Sequence, residues 1–273
     1  MLGPKIEGLP DDHPSKPQCL FRLSWLFEGV GNNMEYKQLL TCTLKLYQGQ
    51  GNHSLVAQTL RFIASANRIL GLPREGIQQA REALEIYKQS NDISGQGHTW
   101  QELAWLLYED NQLDAAEEAA SNAIDLLSDP SDQFIVCECY HALGNIYHLR
   151  GKKEETINHF ETALRIATTF NWHGKLFWIH YSMAEVFSNE GGFDDACIHI
   201  ELAKSHAIND MYLLARTTHL QATFWHRQHR FKEAKSRALD AANVFEKLGA
   251  ARDLEVCKGL LQDIEMEMNK PMA

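Results

Sequence analysis

Apolar residues recur along most of the chain at the three- and four-residue spacing of an amphipathic helix, most clearly between Gln101 and Leu127. Leu103, Ala104 and Leu107 mark one stripe, Asn111 interrupts it, and Leu113, Ala116, Ala120, Ala123 and Ile124 mark a second. The pattern predicts two helices joined by a turn, with Ala104, Ala116 and Ala123 small enough to let them lie close together. Such a pair cannot bury its apolar face alone, so it predicts neighbours of its own kind.

Those neighbours appear as an internal repeat. The position of Ala104 recurs as Ser24, Ala64, Gly144, Ala184 and Ala222, in steps of forty residues and thirty-eight for the last. The turn position runs Gly31, Gly71, Asn111, Gly151, Gly191, His229. The first small position of the second helix runs Tyr36, Gly76, Ala116, Thr156, Ala196, Ala234, and a late one runs Thr43, Ala83, Ala123, Ala163, Ala203, Ala241. Ser54 and Ser131 or Asp132 are expected helix N-caps, and Asp129-Pro130 a helix stop.

The segment from His141 to Leu164 resembles the tetratricopeptide repeat (TPR): Leu143-Gly144, the aromatic Tyr147, the turn Gly151 and the pair Ala163-Leu164 fall where that family places them. The usual unit is about 34 residues. The longer step here resembles the extended repeats of MalT-type regulators, kinesin light chains and Leu-Gly-Asn-repeat adaptors, and also suits HEAT repeats. The resemblance implies an all-α fold, an α-solenoid right-handed superhelix of about six antiparallel helix pairs plus a C-terminal capping helix. The expected limits are a disordered lead or linker at 1–15, one solenoid over 16–270 with repeats at 17–50, 54–91, 94–128, 132–170, 174–208 and 210–248, and a cap helix at 250–268.

In that architecture the first helix of each pair lines the groove, its second, fifth, ninth and twelfth positions facing inward. The resemblance therefore implies a partner-binding groove containing Arg61, Arg68, Gln101, Trp105, Tyr108, His141, Asn145, His148, Tyr181, Glu185, His219 and His226. A ladder that keeps its position while its chemistry varies has the composition of a binding surface. Inter-repeat packing is the plainer role for Trp105, Trp178 and Tyr181. The second helices carry Glu82 and Glu85, Glu117 and Glu118, Glu154 and Glu155, and Asp194 and Asp195, which read as a solvated outer face. The less acidic groove then suits a protein or peptide with acidic or polar groups.

Charge and composition narrow the classes. With 26 basic and 36 acidic residues the net charge is −10, which supplies no basic face for nucleic acid. No apolar run approaches the roughly eighteen residues needed to span a bilayer, and the chain reads as cytoplasmic. The six cysteines form no Cys-x-x-Cys pair and read as helix-packing thiols. Histidines spaced by seven, His141/His148, His173/His180, His199/His206 and His219/His226, sit about 10 Å apart along a helix, too far to share an ion. The two-Lys, two-Asn carboxylate clamp of TPR co-chaperones is missing. No phosphate loop, nucleophile elbow or His-Glu-x-x-His is present. A non-enzymatic scaffold without metal or cofactor is expected. The repeats also resemble sensor arrays of fungal NACHT or NB-ARC type signalling ATPases. Alternatives are a small-ligand receptor in the manner of MalT or the quorum-peptide receptors, and a structural module self-associating through Phe21 and Trp25 of the N-terminal repeat.

Overall fold

The computed structural model describes residues 10, 13–29 and 32–269. Residues 1–9, 11 and 12 of the expected lead, and the first turn glycine, Gly31, lie outside the described residues. Thirteen α-helices follow one another among the described residues. They are α1 (Lys16–Gly29), α2 (Asn33–Gly49), α3 (His53–Ile69), α4 (Pro73–Gln89), α5 (Ile93–Glu109), α6 (Leu113–Leu126), α7 (Gln133–Leu149), α8 (Lys153–Thr169), α9 (His173–Asn189), α10 (Phe193–His206), α11 (Met211–Arg227), α12 (Phe231–Leu248) and α13 (Ala251–Met268). The architecture is an all-α helical-repeat solenoid.

The forty-residue step has a simple origin. A 17-residue helix, a three-residue turn, a second 17-residue helix and another three-residue turn return the chain to the same register, as from His53 to Ile93. The last step is two residues shorter because α10 has 14 residues and is followed by a four-residue link before Met211.

Nine of the turns share one device, whereas at Asn209, also of positive φ, the next N–H, that of Asp210, donates only three residues back, to Ala207 at 3.0 Å. Gly51, Gly71, Asn91, Asn111, Gly151, Asn171, Gly191, His229 and Gly249 all have positive φ, between 53° and 77°. The residue after each donates its N–H five residues back, as Leu72 does to Asn67 at 2.8 Å and Gln112 to Leu107 at 2.8 Å. This is the Schellman closure, which satisfies carbonyls that a helix end leaves orphaned. Glycine and asparagine reach the left-handed region at low cost, and His229 is the exception. The link from α6 to α7 is built otherwise: Asp129 Oδ1 accepts from the Ser131 N–H at 2.8 Å and opens a short 3₁₀ turn, Pro130–Asp132. Asp132 holds the N-cap position of α7 as expected, though without a side-chain cap hydrogen bond, and the cap expected from Ser54 is provided by Asn52, whose Oδ1 accepts from the Leu55 N–H at 3.2 Å.

The chain divides into two compact units, Met1–His159 and Phe160–Ala273, with the division inside α8. In the first unit α1 to α7 pair in sequence, and the first helices also pack on each other, α3 on α5 and α5 on α7. Its largest core joins Ala64, Ile77, Leu84, Leu103, Leu106, Ala116, Ala123, Leu143 and Ile146. The small positions are filled to contact: a Cβ added to Gly76 would lie 2.5 Å from Leu106, and one added to Gly97 2.5 Å from Leu127. In the second unit α9 pairs with α10, α11 with α12, and α13 lies on α12 and α11. Ala184, Ala203, Ala222 and Ala241 are fully buried there.

Candidate ligand-binding face

Because first helix packs on first helix, one register position of each pair falls beside its counterpart in the next. In the first unit this aligns Arg61 and Arg68 on α3, Gln101, Trp105 and Tyr108 on α5, and His141, Asn145 and His148 on α7. Trp105 is the hub. Its ring lies 5.1 Å from His141 and 5.9 Å from Tyr108, both edge-to-face, with the Arg68 guanidinium 6.0 Å away. Asn145 donates to the His141 carbonyl oxygen at 3.1 Å. Gln101 and His141 are buried, whereas Arg68, Trp105, Tyr108, Asn145 and His148 are half-buried. Arg61 sits apart from this group, over the Phe62 ring at 4.5 Å.

The charge balance of this face differs from expectation. Arg68 Nε contacts Glu102 Oε1 at 3.0 Å and its Nη1 contacts Glu109 Oε1 at 3.5 Å. Burial opposes the Arg68 charge, but Glu102, Glu109 and Glu138 outweigh it and hold the guanidinium above its ordinary range. The Arg68 charge is therefore countered by carboxylates of the neighbouring first helix. Trp105 Nε1–H is buried without an acceptor among the described residues.

The second unit builds its face around Arg216. The guanidinium lies 4.9 Å from the Tyr181 ring and 5.2 Å from Trp178, and its Nη1 meets Asp253 Oδ1 of α13 at 2.6 Å. Tyr212 donates to the other Asp253 oxygen at 3.1 Å, and burial pushes its hydroxyl up to about 12. Tyr181 is buried, and burial raises its hydroxyl further. His219 is pushed down to about 4 by burial and by Arg216. Glu185 is exposed, within the fields of Arg216 and Arg227. Arg227 donates to Ser188 Oγ at 3.0 Å, and His226 lies 5.7 Å from Phe231.

Several of these residues escape the fifth, ninth and twelfth positions. The second inward position reads Gln58, His98, Glu138, Trp178 and Arg216, and would have found the Arg216 shelf. Glu102 and Glu109 follow Gln101 and Tyr108 directly, and Asp253 lies on the cap; no spacing marks them. On the outer side Glu82, Glu118, Glu154, Asp194 and Asp195 are exposed as expected, but Glu117 accepts from Tyr147 and Arg150, which lowers its carboxyl. Burial raises the thiol of Cys139, and raises that of Cys257 to about 11. Among the described residues no helix is long and apolar enough to cross a membrane, and no three metal-ligating side chains converge.

Comparison with known proteins agrees with the repeat architecture. Residues 136–169 match the family model of the tetratricopeptide repeat. No curated protein matches the sequence. Among solved structures, a Rap protein complexed with competence and sporulation factor superimposes with a TM-score of 0.73 at 14% identity, over 97% of this chain and 79% of that one. The Rap conjugation gene regulator of the plasmid pLS20, in complex with the Phr* peptide, gives 0.67 at 15% identity over 96% and 79%. The apo form of the quorum sensor NprR from B. thuringiensis gives 0.66 at 14% identity over 97% and 80%. Fold and matched repeat together define the class: an all-α helical-repeat solenoid that contains a tetratricopeptide-type repeat at residues 136–169.

Proposed function

We propose that this chain is a non-catalytic scaffold whose first-helix face, centred on Trp105 in the first unit, binds an extended peptide or a segment of a partner protein. The carrying observation is the ring cluster Arg68–Trp105–Tyr108–His141, which spans three successive repeats and is half-open. Aromatic and arginine side chains in such an arrangement supply anchoring area at small entropic cost. The indole N–H of Trp105 has no acceptor among the described residues, so a rotation that offers it to a peptide carbonyl breaks no hydrogen bond there. With Arg68 already held by Glu102 and Glu109, the face favours a polar, near-neutral segment over a strongly acidic one. Two of the structures that share this fold, the Rap protein with competence and sporulation factor and the plasmid regulator with Phr*, were solved as complexes. A cytoplasmic setting, and a place as ligand-sensing array of a NACHT or NB-ARC type ATPase, extend this reading and rest on resemblance alone.

Selection from a displayed random-peptide library tests it. The wild-type protein is expected to enrich a consensus with micromolar or better affinity. Trp105→Ala, matched to wild type by circular dichroism, should bind that consensus at least tenfold more weakly, and Trp178→Ala in the second unit should bind it normally. Failure to enrich, or equal binding by Trp105→Ala, would overturn the proposal. It would favour self-association through the half-exposed Trp25 and its neighbours Leu26 and Met34, or a small ligand.

A further inference from the structure

Four histidines of the second unit, two on each helix of the α9–α10 hairpin, meet across it in register. His173 pairs with His206 and His180 with His199; both pairs of numbers sum to the same value, as an antiparallel hairpin requires. Their Nδ1 atoms face each other at 3.1 Å in the first pair and 2.9 Å in the second. The His180 and His206 rings stack at 5.8 Å with 4° between planes, so the four imidazoles form one continuous run. Phe187 stacks on His199 at 5.4 Å and covers the inner end. The two pairs differ in access: His173 is exposed and His206 half-buried, while His180 is buried and His199 half-buried.

Facing imidazole nitrogens cannot both carry a proton. Each pair accommodates one proton between its nitrogens, or one cation that takes both lone pairs. Zn²⁺ binds imidazole nitrogen at about 2.0–2.1 Å, so two cis ligands subtending roughly 90–109° stand about 2.9–3.3 Å apart. Both observed distances fall inside that window. Imidazole suits the borderline divalent ions Zn²⁺, Ni²⁺ and Cu²⁺. We propose that His173 and His206 form a solvent-accessible two-histidine chelate for such an ion, which fastens α9 to α10 from outside. The inner pair is the positioning element: His180 stacks on His206 and holds its ring plane, and shares a proton with His199. Among the described residues no third protein ligand joins either pair, so water completes the shell.

The electrostatic setting is consistent with this role. Burial lowers His206, helped by His173, and lowers His180 to about 4, helped by His199 and His206. Burial also lowers His199, against Asp195 on its own helix. Burial thus disfavours the charged form of these three rings, and acid competes with the metal for a ligating nitrogen.

The test is calorimetric titration of the full chain with Zn²⁺ and with Ni²⁺ at pH 7.5, in a Cys42→Ser, Cys197→Ser background that removes exposed thiols. One saturable equivalent is expected, with a rise in Tm on addition of metal. His173→Ala and His206→Ala should each weaken binding tenfold or more and abolish that rise, and His53→Ala should change neither. With Cu²⁺, the electron paramagnetic resonance spectrum should show two coordinated imidazole nitrogens, reduced to one or none in His173→Ala, an exposed substitution that leaves folding intact. Absence of a saturable equivalent would reduce the pairs to proton sharing and overturn the proposal. So would equal affinity in His206→Ala, or an equal loss in His53→Ala.

Discussion

Arg68 in the first unit and Arg216 in the second are each 27% exposed, each near an aromatic ring and each held by a carboxylate, yet they are completed differently. Arg68 draws Glu102 and Glu109 from α5, an ordinary repeat helix, and leaves Trp105 and Tyr108 half-open. Arg216 draws Asp253 from α13, which belongs to no pair, and the tyrosine beside it, Tyr181, is buried. A first-helix arginine leaves an open aromatic surface beside it in one unit and is enclosed in the other. What an arginine on a first helix does is therefore set by what the adjoining helix brings to it.

Acid should separate the two units by the widest margin. His180 and His219, both in the second unit, are held down to about 4 against an ordinary value of 6.5, while burial lowers His98 and His159 of the first unit by less. The unfolded chain takes up a proton on each near pH 6.5 and the folded chain only near pH 4. Stability is thus level above about 6.5 and falls as pH drops through that window, by on the order of 3 kcal/mol per group at full titration. Hydrogen exchange compared at pH 7.5 and pH 5 should show α9 to α11 losing protection before α3 to α7. Uniform loss would remove the distinction.

Overpacking comes next and should act equally on both units. Ala104→Leu and Ala222→Leu each force a large side chain into a fully buried crossing and should cost about 1–3 kcal/mol in urea unfolding. Lys152→Ala, at an exposed turn, should cost under about 0.5 kcal/mol. A difference between the two leucine variants as large as that between them and Lys152→Ala would mean that the repeats do not share one crossing geometry.

The arginine pairs sharpen the comparison directly. Asp253→Ala strips Arg216 of the carboxylate it meets and should cost about 2 kcal/mol, less than the value for a fully buried pair because the site is partly wet. Glu102→Ala leaves Arg68 with Glu109 and should cost about 1 kcal/mol. Chemical denaturation of the two variants side by side reads the order, and a greater loss in Glu102→Ala would reverse the assignment of which face is completed by a lone partner.

Much of the fold was legible because packing demands that repeat by position leave residues that repeat by type. Only a small side chain fits at Ala64, Ala104 and Ala222, and only a residue tolerant of positive φ fits at Gly71, Asn111 and Gly151, so crossings and turns could be read along the chain. The face was less legible because its interactions run across the chain. Arg68 and Glu102 meet through the offset of α3 against α5, Arg216 and Asp253 through the placement of a helix outside the repeat, and His173 and His206 through the sum of their positions rather than their difference. Periodicity along one helix contains none of these. Tyr181 shows the same limit: an inward register position does not reveal whether the surroundings leave it open.

The left-handed turn residues also bear on how such a chain can grow or shrink. A segment cut from His53 through Asp92 begins just after one Schellman closure and ends with another, so a copied or deleted unit carries its own helix stops and leaves no carbonyl stranded at the seam. The same reasoning sets the link at Leu127–Asp132 apart. It uses Asp129 and Pro130 in place of a left-handed residue, so a crossover there would join unlike ends. Gain and loss of units in this lineage are expected to respect that seam, in the way that a text can be edited freely between sentences and seldom within one.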